Sequence, residues 1–234
     1  MNEQVVLVTG ASRGLGRSVA RAFHRAGARV VVSATSAEGL ADVAHELGAL
    51  AIPADLARPA EIDRLFAAVD AAYGRLDVLV NNAGVTLTGP LEGQSADDLR
   101  RLVDVNLRAP LLCSRAAFSI MRREGRGTVV NVSSGAASRP MVLLAAYSSV
   151  KAALSALTVS LRQEFVDAGL RMFVVEPGAV DTEIVSHHTP EFEARYHGAI
   201  RRMPPEVVAE VVLRLCAVTD ACHPARVVVD HLPA

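Results

Sequence analysis

At 234 residues, 51% of them hydrophobic, the chain is long enough for one domain with a sizeable core. A net charge of −1 gives no electrostatic reason to expect nucleic acid or an anionic membrane as a partner. No apolar run approaches the ~18 residues of a membrane span, and a strand-like run from Gln4 leaves no room for a signal peptide.

Residues 4–8 (Gln-Val-Val-Leu-Val) read as a buried strand. Thr9-Gly10-Ala11-Ser12-Arg13-Gly14-Leu15-Gly16 follows, then an amphipathic helix to about Ala26. A strand, a glycine-rich turn and a helix start form a phosphate site. Glycine lets the backbone approach closely, and the helix N-terminus favours negative charge. The spacing is G-x-x-x-G-x-G rather than the commoner G-x-G-x-x-G. Residues 29–33 form a second strand. In dinucleotide-binding folds an acidic residue ~20 positions past the glycines holds the adenosine ribose. Here the strand ends Ser33-Ala34-Thr35-Ser36, with no carboxylate to repel a 2′-phosphate. With Arg13 in the glycine turn, this favours NADP over NAD.

Residues 38–47 predict a helix, 49–53 a short strand and 59–73 a helix, with Asp55 between the last two. Residues 77–80 make a fourth strand and run into Asn81-Asn82-Ala83-Gly84. Strands alternating with helices imply a parallel sheet, whose ligands bind outside the carboxyl ends of the strands. The glycine turn, Asp55 and Asn81 all fall at that edge. A long helix spans about 96–122, with Pro110 inside it. Proline has no N–H, so the carbonyl of Asn106, four residues back, loses its helix partner. Asn106 then offers both a free carbonyl and an amide, a place for an ordered water.

Residues 128–132 form the fifth strand and end at Ser133-Ser134-Gly135, where a hydroxyl can donate to a substrate oxygen. Next comes a helix carrying Tyr147 and Lys151. Of the 24 Lys and Arg residues, only Lys151 is a lysine. It stands four residues after Tyr147, so both side chains can point into one site. Val150, Leu154, Leu157, Leu161 and Phe165 repeat at helical spacing and predict a buried stripe. A phenol with a pKa of about 10 is a poor base at neutral pH, and a neighbouring cation lowers that value. Such a pair can donate or accept a proton on a reacting oxygen.

Residues 171–175 make the sixth strand, turned by Glu176-Pro177-Gly178. Periodicity breaks over 179–203, which reads as a mobile segment above the site. His187-His188 within it have no supporting ligands and read as surface loop. Residues 205–218 give a last helix and 226–229 a last strand. Cys113, Cys216 and Cys222 form no C-x-x-C pair and read as reduced thiols of a cytoplasmic protein. Cys222-His223 lacks the convergent ligands of a zinc site.

These motifs stand in one order: Thr9-Gly10-x-x-x-Gly14-x-Gly16, Asn81-Asn82-Ala83-Gly84, Asn106, Ser134, Tyr147-x-x-x-Lys151, then Pro177-Gly178 and Thr182. In that order the chain resembles the short-chain dehydrogenase/reductase family over nearly its whole length. Ser134 precedes Tyr147 by 13 positions, as in the family. The glycine spacing is also the form the family uses. The resemblance implies an α/β fold: a single doubly wound parallel sheet of Rossmann type, about seven strands with helices on both faces, as one domain over 1–234.

It implies Tyr147 as the acid in carbonyl reduction or the base in alcohol oxidation. Lys151 would bind the nicotinamide ribose and lower the Tyr147 pKa. Ser134 would hold the substrate oxygen, and Asn106 would anchor a water linking Lys151 to solvent. Asn81 and Gly84 would line the cofactor cleft, Asp55 would meet the adenine and Thr182 the carboxamide. The implied cofactor set is Gly10, Ser12, Arg13, Gly14, Leu15, Gly16, Ala34, Thr35, Ser36, Asp55, Leu56, Asn82, Ala83, Gly84, Tyr147, Lys151, Pro177, Gly178, Val180 and Thr182, with no metal. Arg13 and Thr35 resemble the 2′-phosphate contacts of NADPH-using members, particularly the ketoacyl-carrier-protein reductase type.

The implied activity is reversible, NADP(H)-dependent reduction of a ketone or aldehyde. Homodimers or homotetramers built through helices 96–122 and 147–166 are implied as well. The carboxyl-terminal third is short for the family and matches it least. The substrate side comprises 85–93, 135–146 and 179–203. Met141, Val142, Leu143 and Leu144 make the second of these apolar, which predicts an apolar or amphipathic carbonyl or alcohol substrate. Two alternatives share the fold: an NADP-binding regulator or scaffold without turnover, and an epimerase or dehydratase. A binder without turnover has no need of Ser134, Tyr147 and Lys151 together.

Overall fold

The valine-rich runs form strands buried along their length. The computed structural model describes residues 1–183, 189–196, 201–218 and 224–230. In chain order the elements are β1 (Val5–Thr9), α1 (Gly14–Arg25), β2 (Arg29–Ser33), α2 (Ala37–Leu47), β3 (Leu50–Ala51), α3 (Pro59–Tyr73), β4 (Val78–Asn81), α4 (Ala96–Val103), α5 (Ala109–Glu124), β5 (Thr128–Val132), α6 (Ala145–Asp167), β6 (Arg171–Pro177), α7 (Pro190–Tyr196), α8 (Pro205–Ala217) and β7 (Arg226–Val229). The strands make one parallel sheet in the order β3-β2-β1-β4-β5-β6-β7. This is the doubly wound α/β sheet expected.

Strand side chains alternate between faces, and helices cover both. Val6 and Val8 pack with Val19 and Phe23 of α1 and Val208 and Val212 of α8. Val5 and Leu7 pack on the other face with Leu65 of α3, Ala117 of α5 and Phe165 of α6. The chain leaves β1 toward β2 and β3, then returns to place β4 on the other side of β1. That reversal opens a crevice at the carboxyl ends of β1 and β4.

Three local features differ from expectation. β3 spans Leu50–Ala51 rather than 49–53, because Pro53 has no N–H to extend the ladder. The N–H groups of Ile52 and Ala54 still bond to Val32 O and Ala34 O, at 2.9 and 3.0 Å. The long helix is two helices joined by a wider π turn, Asp104–Arg108. Pro110 removes a donor there, and Ala109 N–H donates to Asp104 O, five residues back. On α6 the expected stripe is buried at Val150, Leu154 and Phe165, but Leu157 and Leu161 are half-buried. Among the described residues no helix is long and apolar enough to cross a membrane. His187, His188, Cys222 and His223 lie outside the described residues.

Candidate active site

The carboxyl ends of β1, β2, β4, β5 and β6 open on a cleft of about 840 Å³. Its first wall is the glycine turn. Gly10 has φ 66°, and a Cβ there would sit 2.7 Å from Ala83 Cα. A Cβ on Gly16 would collide with the Gly10 carbonyl oxygen. Only glycine lets these backbones close. The neighbouring loop is tied down by side chains. Asn82 Nδ2 donates to Thr9 O at 2.9 Å, and Thr9 Oγ1 accepts from the N–H groups of Asn82 and Ala83, both at 3.1 Å. No side chain caps α1, whose preceding residue, Arg13, is extended, and its first turn has no acidic residue. First-turn N–H groups without a cap suit an anion. Gly10, Ser12, Arg13, Gly14, Leu15 and Gly16 all line this wall.

Beyond it the cleft is lined by Ala34, Thr35, Asp55, Leu56, Asn82, Ala83 and Gly84. Arg13 is exposed at the cleft. Ser36 is not among the residues lining the cleft, and its hydroxyl accepts the Gly39 N–H at 3.1 Å and caps α2. One expectation is corrected here. Asn81 does not line the cleft. It is buried, and its Nδ2 donates to Asn131 Oδ1 at 2.8 Å, tying β4 to β5. Asp55 carries partners of its own: the Ala57 N–H at 3.1 Å and Arg101 at 3.5 Å.

The far wall brings together Asn106, Ser134, Tyr147 and Lys151. Ser134 ends the β5 segment and Tyr147 stands in the first turn of α6. The Ser134 hydroxyl is near enough to the Tyr147 phenol to favour its ionised form. Lys151 is 4% exposed, and its Nζ donates to Val132 O at 3.0 Å. That Nζ lies 5.8 Å from the centre of the Tyr147 ring. Asn106 is fully buried, and its Nδ2 donates to Val85 O at 2.9 Å and Leu102 O at 3.0 Å. Its Oδ1 has no hydrogen-bond partner among the described residues. The amide oxygen is thus one acceptor left over beside the π turn. A Cβ on Gly84 would lie 2.8 Å from that oxygen and 3.6 Å from Lys151 Nζ. Gly84→Ala should therefore push both groups aside and lower kcat about tenfold with the fold intact, as a steady-state assay and a melting curve would show.

Electrostatics corrects a further expectation. The Tyr147 phenol is pushed above its ordinary value, not below it. Burial raises it, and the neighbouring Ser134 hydroxyl opposes that rise. Lys151, whose ammonium is aimed at Val132 O, does not offset the burial. Burial also presses the Lys151 ammonium down to about 8. At pH 7 Tyr147 thus keeps its proton and Lys151 keeps its charge.

A model of the family described as short chain dehydrogenase matches residues 4–192. The chain belongs to that family. An uncharacterised oxidoreductase of Bacillus subtilis (strain 168) is 33% identical over 218 residues, 91% of this chain and 83% of that one. A metagenomic short-chain oxidoreductase solved in complex with NADP is 34% identical, with a TM-score of 0.85 over 100% of this chain and 99% of that one. The 3-ketoacyl-(acyl-carrier-protein) reductase of Brucella melitensis, solved with NADH, is 29% identical, with a TM-score of 0.89 over 98% and 97% of the two chains.

In this short-chain dehydrogenase the described part of 179–203 contributes Ala179, Val180, Thr182, Glu183, Phe192, Arg201 and Arg202 to the cleft, beside Pro177 and Gly178. Thr189 N–H donates to Thr88 Oγ1 at 2.7 Å, joining this segment to the 85–93 loop. The 135–146 loop is less apolar at the cleft than its sequence suggests. Met141 and Leu144 line it, Val142 and Leu143 do not, and Arg139 does, paired with Asp230. Sequence patterns gave no signal for Arg139, Phe192 or Asp230, which lie in irregular segments or on the seven-residue α7. Asn131, Ser133 and Glu176 were also missed as partners, because within strand runs nothing marks which polar side chain has a buried neighbour.

Proposed function

We propose that this short-chain dehydrogenase, an oxidoreductase, uses NADPH to reduce a ketone or aldehyde to an alcohol, reversibly. The observation that carries the reading is the hydroxyl pair of Ser134 and Tyr147 on the cleft wall, with Lys151 behind it. When bound, the nicotinamide supplies hydride to the carbonyl carbon. The residues present fit such a group. Glycine turn and uncapped α1 suit its phosphates, and the partnerless Asn106 Oδ1 beside Lys151 suits a hydrogen-bonded donor such as water.

Tyr147 gives its proton to the carbonyl oxygen as charge builds there. Ser134 donates to the same oxygen and orients it. The phenol keeps its proton at neutral pH, the form needed to give it to the carbonyl oxygen. Lys151 holds positive charge near the resulting phenolate and limits its cost. In the reverse direction the Tyr147 phenolate accepts the proton, and the raised value keeps that form scarce at pH 7.

Arg13 and the absence of an acidic side chain at Ala34 or Thr35 support NADPH over NADH. Arg13→Ala should weaken NADPH binding at least tenfold and NADH binding by less than twofold. Nucleotide fluorescence titration measures both. The apolar Leu87, Met141, Leu144 and Phe192 with Arg139 and Arg202 around them support an amphipathic substrate. A spectrophotometric screen of NADPH and NADH oxidation across ketones, aldehydes and ketoacyl thioesters tests the reading. Net NADPH consumption with alcohol formed supports it. Conversion without net NADPH consumption would instead indicate an epimerase or dehydratase, and nucleotide binding without conversion a regulator.

Exposed Val103, Leu111 and Val159 on α4, α5 and α6 support assembly of two or four copies through these helices. Light scattering on the eluting protein should give a mass of two or four chains.

A further inference from the structure

We infer that Glu176 is a positioning residue, whose buried carboxylate sets Lys151 and Ser134 in register with each other. The inference rests on the proposed roles of Ser134, Tyr147 and Lys151. Glu176 sits in β6, immediately before the Pro177-Gly178 pair that lines the cleft, and is fully buried. Both its oxygens are engaged. Oε1 accepts from Ser155 Oγ at 2.7 Å. Oε2 accepts from Ser138 Oγ at 2.9 Å and from Arg226 Nη2 at 2.7 Å. The three donors come from α6, from the loop after Ser134 and from β7. An ionised carboxylate accepts only, so one group can gather three donors where an apolar side chain would gather none.

Each donor leads toward the reacting groups. Ser155 stands one helical turn past Lys151, and its single proton goes to Glu176 by the charge-assisted bond. Its oxygen then accepts from Ser133 Oγ at 3.0 Å. The one proton of Ser133 Oγ is shared between that bond and the Lys151 carbonyl at 2.8 Å. The α6 turn that carries Lys151 is therefore clamped to the end of β5 through two hydroxyls and one carboxylate. On the other side, Ser138 closes the short turn Gly135–Ala137, whose first N–H groups Ser134 caps by accepting from Ala136 N at 3.1 Å. Glu176 thus links the segment carrying Ser134 to the helix carrying Tyr147 and Lys151. Arg226, half-exposed on β7, balances the charge. Small misplacements of reacting groups cost large factors in rate, so the clamp should act on turnover more than on binding.

The test is steady-state reduction by full-length Glu176→Gln, Ser155→Ala and Ser138→Ala at saturating NADPH, using a carbonyl substrate turned over by wild type. NADPH deuterated at the transferred position provides a second readout. The expected result for Glu176→Gln and Ser155→Ala is a kcat lower by about tenfold. The isotope effect on kcat should be larger than in wild type, because misaligned groups slow the chemical step. KM and NADPH affinity should change less than threefold. If Glu176→Gln does not fold, the two serine variants, each lacking one hydrogen bond, carry the test. A kcat within twofold of wild type in these variants would overturn the inference. So would a lower kcat with an unchanged isotope effect, which reports only fewer active molecules. Tyr147→Phe separates the failures. If it keeps turnover, the proposed function itself fails; if it loses turnover while the Glu176 clamp variants keep theirs, only this inference does.

Discussion

Tyr147→Phe is expected to lower kcat at least ~100-fold while NADPH affinity changes by less than about threefold. The substitution removes one oxygen and leaves the ring, so packing against α6 and the cleft wall is kept. What it removes is the proposed proton donor, the hydroxyl beside Ser134. Ser134 remains as the only hydroxyl of the pair. It can polarise a carbonyl, but a serine hydroxyl does not give up its proton at neutral pH. Single-turnover reduction with preformed enzyme–NADPH complex measures the loss on the chemical step. A variant with near-wild-type turnover would place the proton donor elsewhere.

Lys151→Met is expected to abolish most turnover and, unusually for an active-site change, to stabilise the protein without nucleotide at pH 7. Lys151 is 4% exposed, and burial presses its ammonium from the usual 10.5 to about 8. That difference corresponds to on the order of 3 kcal/mol of penalty on the folded state. Methionine escapes it but leaves the Val132 carbonyl without its partner, which costs about 1–2 kcal/mol. The net gain is about 1–2 kcal/mol.

The sign of its pH dependence follows from which state holds the proton. Below pH 8 both states of the wild type keep the ammonium, and the whole penalty is present. Between 8 and 10.5 the unfolded chain still holds the proton and the folded one has released it, so wild-type stability from this group rises with pH. The advantage of Lys151→Met should therefore be greatest at pH 7 and shrink toward pH 10. Urea unfolding across that range measures it. An advantage that grew with pH would show that the Lys151 ammonium is not penalised by its surroundings.

The fold was legible because its sheet is covered on both faces. Strands such as β1, β2 and β5 are buried along nearly their whole length, so they read as apolar runs that no surface strand would show. The grouping of Ser134, Tyr147 and Lys151 at the cleft was legible because these residues lie at a strand end or one helical turn apart, where spacing alone brings them near each other. Adjacent residues were harder to separate. Asn81 and Asn82 differ by one position at the end of β4, yet one ties two strands together inside and the other holds the glycine turn at the cleft.

The sign of the Tyr147 shift was not legible at all. Sequence places a cation four residues away, but whether it or burial prevails depends on where the ammonium points, and β5 captures it through Val132. The same limit hid Glu176. A glutamate before Pro177-Gly178 looks like a turn residue until three donors from distant segments are found around it.

The most direct measurement is a crystal structure of the protein with NADP⁺ and an unreactive alcohol. The account predicts the alcohol oxygen within hydrogen-bond distance of both Tyr147 and Ser134, with the reactive carbon of the nicotinamide facing the carbinol carbon. A Tyr147 hydroxyl turned away from the cleft, or an alcohol bound beyond reach of both hydroxyls, would contradict it.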